Sequence, residues 1–185
     1  MYICRMKLEE GKYKFIQAWG SLGSSWGISK SMAQIHALLL SSQDGLSTDE
    51  IMEQVQLSRG NVNTNVRELI NWRLVRKETV LGERKEYFVA LHDVHSIAQN
   101  IMEERKRREL EPVRRLLNEL INTKIEGDEK EVAHFQTLLA DLADFVHQME
   151  NLTNLMTKIN NNNYMKKLIK RFLSLFYFNK TFSYF

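Results

Sequence analysis

Two helix-start signals followed by two β-rich runs, all between residues 47 and 91, restrict what this chain can fold into more than any other feature. Ser47-Thr48-Asp49-Glu50 has the S-x-x-E form of a capping box, in which the serine hydroxyl and the glutamate carboxylate satisfy amide donors left unpaired at a helix start. Ile51, Met52 and Val55 supply the buried side of a short helix, and Gln56-Leu57 is a brief turn. Ser58 is then the expected N-cap of a second helix over residues 59–72. At 100° per residue, Val62, Val66, Leu69 and Ile70 fall on one side of it. Gly60, Asn61, Thr64, Arg67, Glu68 and Asn71 fall on the other. Residues 75–81 and 86–91 are rich in β-branched or aromatic side chains, with Gly82-Glu83-Arg84-Lys85 as a charged turn between them, which predicts a hairpin. Helix, short turn, helix and hairpin in that order describe a winged helix-turn-helix built on one small core.

The flanking segments read as helices. Phe15, Trp19, Leu22 and Trp26 recur on one face of a helix over residues 8–26, which Gly20 and Gly23 weaken. Residues 31–41 form a second helix with Ile35, Leu38 and Leu39 apolar, and Asp44-Gly45 marks the turn after it. From Asp93 onward the chain is helical again, with Val94, Ile97, Ile101 and Met102 ahead of a strongly charged stretch. Pro112 must kink or restart that helix, because it lacks an amide donor and clashes with the preceding turn. Val113, Leu116, Leu117, Leu120 and Ile121 continue the apolar stripe to a break at Gly127-Asp128. Beyond it Phe135, Leu138, Leu142, Phe145, Met149, Leu152, Met156 and Ile159 are spaced alternately by three and four, a heptad seam. Leu139 and Val146 widen the seam, so helix-bundle packing competes with a two-stranded coil. The expected fold is mainly α: a winged helix-turn-helix domain over residues 8–92 with a β-hairpin wing, and long C-terminal dimerisation helices over 93–160. A basic aromatic tail occupies 161–185. Leu138, Leu142, Phe145, Met149, Leu152 and Met156 are the expected dimer contacts.

Composition removes several classes. One proline and eight glycines in 185 residues do not suit a collagen or a low-complexity linker, and the single cysteine, Cys4, cannot form an internal disulfide. No apolar run reaches the roughly 18 residues of a membrane span, and the charged first residues lack the apolar core of a signal peptide. A cytoplasmic protein is the expectation. The net charge of +3 is unevenly spread: no acid follows Glu150, whereas Lys158, Lys166, Lys167, Lys170, Arg171 and Lys180 do. Total charge therefore says nothing about nucleic acid, and local clustering must decide.

The local clustering is at the second capped helix. A helix fits the major groove of DNA, where base edges are read by short amide, hydroxyl and guanidinium side chains on its early turns. Asn61, Asn63, Thr64 and Arg67 are such a set. Between residues 59 and 77, Arg59, Arg67, Arg73, Arg76 and Lys77 face Glu68 alone, a local excess of basic charge where phosphates would pass. Arg84 and Lys85 at the hairpin tip suit the DNA backbone or an adjacent minor groove. Ser58, Arg59, Gly60, Asn61, Asn63, Thr64, Arg67, Arg84 and Lys85 are thus the candidate DNA-binding residues. The blander reading is a solvated helix face and a charged turn.

Ser58-Arg59-Gly60-Asn61-Val62-Asn63-Thr64-Asn65-Val66-Arg67-Glu68-Leu69, followed by Trp72-Arg73-Leu74-Val75, resembles the GbsR/MarR-like group of bacterial transcriptional regulators. Their winged helix carries a pattern close to S-R-G-N-x-S-x-N-L-R-E-L and then W-G-L-V. The similarity extends through Gly82-Glu83-Arg84-Lys85-Glu86-Tyr87-Phe88 and the Arg-rich helix ending near Glu111-Pro112, about residues 10–125. It implies a dimeric cytoplasmic repressor or activator with Arg59, Asn61, Asn63, Thr64 and Arg67 in the groove. Double-stranded DNA, as an inverted-repeat operator, and a second copy of the chain are the implied partners. Two positions depart from the pattern: Asn63 replaces the usual serine, and Arg73 replaces a glycine at the helix end. The group includes regulators of choline and glycine betaine uptake, whose quaternary ammonium ligands bind aromatic faces. Phe15, Trp19 and Trp26 fit either such a cage or an ordinary core stripe, so the effector is unassigned.

Other motifs weigh less. Gly23-Ser24-Ser25-Trp26-Gly27 matches G-x-S-x-G, but a nucleophile elbow needs a strand before the serine and a helix after it. His92, Asp93 and His95 read as a helix cap and its neighbours rather than as metal ligands. No cofactor, metal or catalysis is expected. Residues 165–178 place Met165, Leu168, Ile169, Phe172 and Phe176 on one face and basic residues on another, which suits packing on the helical bundle, a partner helix or weak interfacial attachment to a membrane. The competing function is a winged-helix protein-interaction module without specific DNA binding.

Overall fold

The computed structural model describes residues 6–25, 27–82 and 84–161, with the backbone alone for 156–161. Cys4, Trp26 and the tail from residue 162 lie outside the described residues. The chain divides into two compact units, residues 1–100 and 101–185.

The first unit is built around one almost wholly buried helix. Helix α1 (Leu8–Ser25) leads into α2 (Lys30–Ser41), whose Met32, Ala33, Ile35, His36, Ala37, Leu38 and Leu39 are all buried. Ser29 caps α2, its hydroxyl accepting from the Met32 amide at 3.1 Å. Gly20 and Gly23, which the sequence alone marks as weak points of α1, are its two buried residues. A Cβ on Gly23 would lie 2.4 Å from that of Ala33, so glycine here permits the close approach of the two helices.

Strand β1 (Leu46–Ser47) precedes α3 (Thr48–Val55), and α4 (Arg59–Asn71) leads into β2 (Val75–Thr79) and β3 (Glu86–Ala90). The capping box forms as the sequence predicts: the Ser47 amide donates to the Glu50 carboxylate at 2.8 Å and the Glu50 amide to the Ser47 hydroxyl at 3.4 Å. The hairpin pairs Val75 with Ala90 and Thr79 with Glu86. It is shorter than the alternation suggests, since Val80, Leu81 and Leu91 lie beyond its ends. The antiparallel sheet has the order β1-β3-β2, with Leu46 opposite Phe88 and Ser47 opposite Tyr87. Two residues carry no period, so β1 is invisible to sequence patterning. Ile35, Leu39, Ile51, Val62, Val66, Leu69, Leu74, Val75 and Phe88 join helices and sheet in one core.

Helix α4 ends in a Schellman motif. Arg73 adopts the left-handed conformation with φ +55°, its amide reaching the Ile70 carbonyl and that of Leu74 the Leu69 carbonyl, both at 2.9 Å. The position where the resembled pattern has glycine is therefore one where the backbone favours glycine.

Helix α5 (Val94–Arg105), capped by Asp93 through the Ser96 amide at 2.9 Å, begins in the first unit and runs into the second. A π-helical turn (Lys106–Leu110) follows, and the Glu111 amide reaches back five residues to the Lys106 carbonyl. The turn absorbs the discontinuity that Pro112 imposes, and α6 (Glu111–Ile121) restarts with the proline in its first turn. Buried Glu104 accepts from Arg107 at 3.0 Å and from Arg108 at 2.6 Å. These hydrogen bonds, Arg107 first, hold its carboxyl below the ordinary value against the opposing effect of burial.

Helix α7 (Glu129–Asn161) starts where Asp128 accepts from the Lys130 and Glu131 amides. It packs on α6 through Leu117, Leu139 and Val146, and Arg114 pairs with Glu150 at 3.2 Å. Leu139 and Val146, which only widen the heptad seam in sequence, are thus the residues that α7 buries within its own unit. Phe135, Leu138, Leu142, Phe145, Met149 and Leu152 are exposed. The backbone of Met156 lies in α7, and its side chain is outside the described residues.

Candidate nucleic-acid interface

Helix α4 buries Val62, Val66 and Leu69, and with that face fixed Gly60, Asn61, Thr64, Arg67 and Asn71 point outward. Ser58 caps it in extended conformation, its hydroxyl accepting from the Asn61 amide at 3.4 Å. Gly60 has open space where a Cβ would stand. Glycine inside a helix costs about 1 kcal/mol relative to alanine, and here it leaves the start of α4 free for close approach. Arg67 carries no ion pair among the described residues, so its five donors remain available.

The other candidates are more constrained. Asn63 is half-buried on the flank of α4 facing α3, and its amide oxygen accepts from the Thr48 hydroxyl at 3.4 Å. Arg59 is ion-paired with Asp49. Asn61 is tied to Asn65, which donates to the Asn61 carbonyl at 2.8 Å and to its side-chain oxygen at 2.5 Å. Asn65 in turn accepts from the Ser29 hydroxyl at 2.9 Å. Sequence patterning gives Ser29, Asp49 and Asn65 no role at this face. An N-cap signature was present at Ser29, but its proximity to Asn65 requires the tertiary fold.

The wing places Arg84 and Lys85 in the exposed connection between β2 and β3. Glu50 is held below the ordinary carboxylate value mainly by the Ser47 hydroxyl, then by the Ser47 amide, with the charge of Lys85 adding to them and partial burial opposing. The basic excess counted along residues 59–77 is smaller in space. Asp49 takes Arg59, Glu78 takes Arg76 at 2.7 Å, and Glu86 takes Lys77 at 2.6 Å. Acids outside the sequence window, or across the hairpin, supply that neutralisation, and Arg67, Arg84 and Lys85 are exposed cations outside those three pairs.

Three further motifs have local structural roles. Ser24 and Ser25 lie at the end of α1 and donate to the Gly20 and Ser21 carbonyls at 3.1 and 3.2 Å, with no strand before them. The serine-elbow geometry is absent there. His92 and His95 are exposed beside the Asp93 cap, and among the described residues no group of three His, Cys, Asp or Glu side chains could hold a metal ion. Phe15 and Trp19 form a tilted pair at 5.5 Å, and Trp19 meets His36 at 6.4 Å. Burial lowers the His36 pKa from 6.5 to about 4, and its Nε2 finds no hydrogen-bond partner among the described residues.

No helix among the described residues is long and apolar enough to cross a membrane. No protein-family profile and no curated protein sequence matches the chain. Among solved structures, a transcriptional regulator aligns at a TM-score of 0.62 and 17% identity, covering 82% of this chain and 99% of its own. MepR, a transcription regulator of the Staphylococcus aureus multidrug efflux pump MepA, aligns at 0.37 and 14%, covering 72% and 94%. A MarR protein from Peptoclostridium difficile aligns at 0.36 and 14%, covering 86% and 95%. The first alignment shows a common fold, which in this chain is mainly helical with a three-stranded antiparallel sheet in a winged-helix arrangement.

Proposed function

We propose that this chain is a sequence-specific, double-stranded-DNA-binding transcriptional regulator of the GbsR/MarR-like type, cytoplasmic, non-enzymatic and acting as a homodimer. The observation that carries it is the face of α4. Asn61, Thr64 and Arg67 stand outward on a helix whose opposite side is locked into the core, with Gly60 unobstructed beside them. Amide, hydroxyl and guanidinium groups so arranged suit base edges in a major groove, and Arg84 and Lys85 suit the flanking phosphates.

The exposed seam of α7 supports the homodimer. Leu138, Leu142, Phe145, Met149 and Leu152 present apolar surface at heptad spacing along one helix, the pattern by which a second copy is bound. Two reading helices related by a two-fold axis would select an inverted repeat with half-site centres about 34 to 36 Å apart. A small-molecule effector would act by favouring one spacing of the two helices over another.

Neutralisation of Arg59, Arg76 and Lys77 by acids favours the second reading, a winged-helix module that binds a partner protein. Fluorescence titration of labelled genomic fragments at two salt concentrations separates the two. Binding that weakens steeply with salt and varies among fragments is expected for the regulator, and no salt-sensitive binding overturns it.

A further inference from the structure

We propose that Ser29 and Asn65 are positioning residues that fix the hydrogen-bond polarity of Asn61, so that α4 meets its base with a donor. This rests on the DNA-binding reading above. The Ser29 hydroxyl has one hydrogen. The Asn61 backbone carbonyl can only accept, so the Asn65 amide turns its nitrogen to it at 2.8 Å, and the Asn65 oxygen then accepts the Ser29 hydrogen at 2.9 Å. The Asn65 amide is thereby oriented, oxygen toward Ser29 and nitrogen toward Asn61. Its two hydrogens go to the Asn61 carbonyl and the Asn61 side-chain oxygen, at 2.8 and 2.5 Å. Asn61 is oriented in consequence. Its oxygen faces Asn65, and both hydrogens of its nitrogen are left for whatever approaches.

An unconstrained asparagine pairs bidentately with adenine, donating to N7 and accepting from the N6 amino group. Asn61 has its acceptor turned aside, so it favours bases that present acceptors in the major groove. Guanine offers two, O6 and N7, and thymine offers O4, whereas the N7 of adenine stands beside its N6 donor. Adenine N6 and cytosine N4, which present donors, are disfavoured. The relay runs from the cap of α2 to α4 through three side chains, none of which needs the DNA to set its direction.

The test is selection of duplexes from a random pool by the full chain and by Asn61→Ala, Asn65→Ala and Asn65→Asp variants. The wild type is expected to prefer guanine or thymine at one position per half-site, a preference that Asn61→Ala removes and Asn65→Ala relaxes. Aspartate at residue 65 can only accept, from Ser29 and from the Asn61 nitrogen, and it gives up the bond to the Asn61 carbonyl, which also only accepts. It turns the Asn61 oxygen outward and shifts that position toward adenine or cytosine by about tenfold, leaving other positions as they were. An unchanged base preference in Asn65→Asp overturns the proposal, as does a loss of affinity without any change of preference, which would place Asn61 on a phosphate. Side-chain amide exchange by NMR in the free protein checks the relay without DNA. Slower exchange at Asn65 than at Asn61 supports it, and equal exchange overturns it. If the wild type selects no duplex, the DNA-binding reading falls and the base preference with it, while the exchange data still judge the relay.

Discussion

Leu138 and Leu139 are neighbours on α7 with opposite surroundings: Leu138 is 46% exposed, and Leu139, packed with Leu117 and Val146, is 3% exposed. Substituting glutamate for Leu142 and Phe145, on the exposed seam, is expected to dissociate the proposed homodimer and leave helix content unchanged. Leu139→Ala is expected to cost about 2 to 5 kcal/mol of stability through lost burial and the cavity it leaves. Sedimentation and thermal melts read the two effects separately. An undisturbed association state in the double glutamate variant counts against the seam as the dimer contact.

Arg73→Gly is expected to stabilise the protein by about 1 kcal/mol, because it relieves a left-handed conformation that costs an L-residue roughly 1 to 2 kcal/mol. The backbone bonds of the motif are retained, including the one from the Asn100 side chain to the Arg73 carbonyl at 2.9 Å. Gln56, with φ +54° at the end of α3, should respond in the same direction. Urea unfolding midpoints measure both, and a lower midpoint for Arg73→Gly would show that its side chain contributes more than the strain it imposes.

Acid should weaken the first unit through His36. Its pKa falls from 6.5 to about 4 on folding, so between those values the unfolded chain binds more protons than the native one. The contribution is complete above about pH 6.5 and is lost as pH falls toward 4. From pH 7 to pH 5 the loss is roughly 2 kcal/mol, and His36→Leu should remove that part of the slope. Equal pH slopes in the two proteins would rule out His36 as the titrating group.

On DNA the two exposed arginines are expected to differ. Arg67→Ala should lower affinity for a selected site about tenfold or more while barely changing affinity for random duplex. Arg84→Ala should weaken both and flatten the dependence on salt. Equal losses on selected and random DNA for Arg67→Ala would remove it from the groove.

The sequence reveals the parts of the fold that have a period or a cap. Ser47, Ser58 and Asp93 begin helices where their side chains predict, and the outward positions of Asn61, Thr64 and Arg67 follow from the buried period of Val62, Val66 and Leu69. Strand β1 is too short to have a period, and Gly23 reads as a weak helix residue until Ala33 is seen against it. A window over residues 59–77 overstates the charge because Asp49, Glu78 and Glu86 lie outside it and pair with Arg59, Arg76 and Lys77. Asn63 sits in the same motif as Asn61, but only the packing of α3 beside α4 turns it toward Thr48.

Ser47 closes strand β1 against Tyr87 and opens helix α3 through its bonds with Glu50. A single residue thus serves as the pivot pin of a crank whose arms are the wing and the first helix of the helix-turn-helix pair. A displacement of β3 therefore bears on the start of α3 through one residue. Ser47→Ala removes only the hydroxyl that accepts from the Glu50 amide, and leaves the backbone pairing with Tyr87 and the continuous chain between the arms in place.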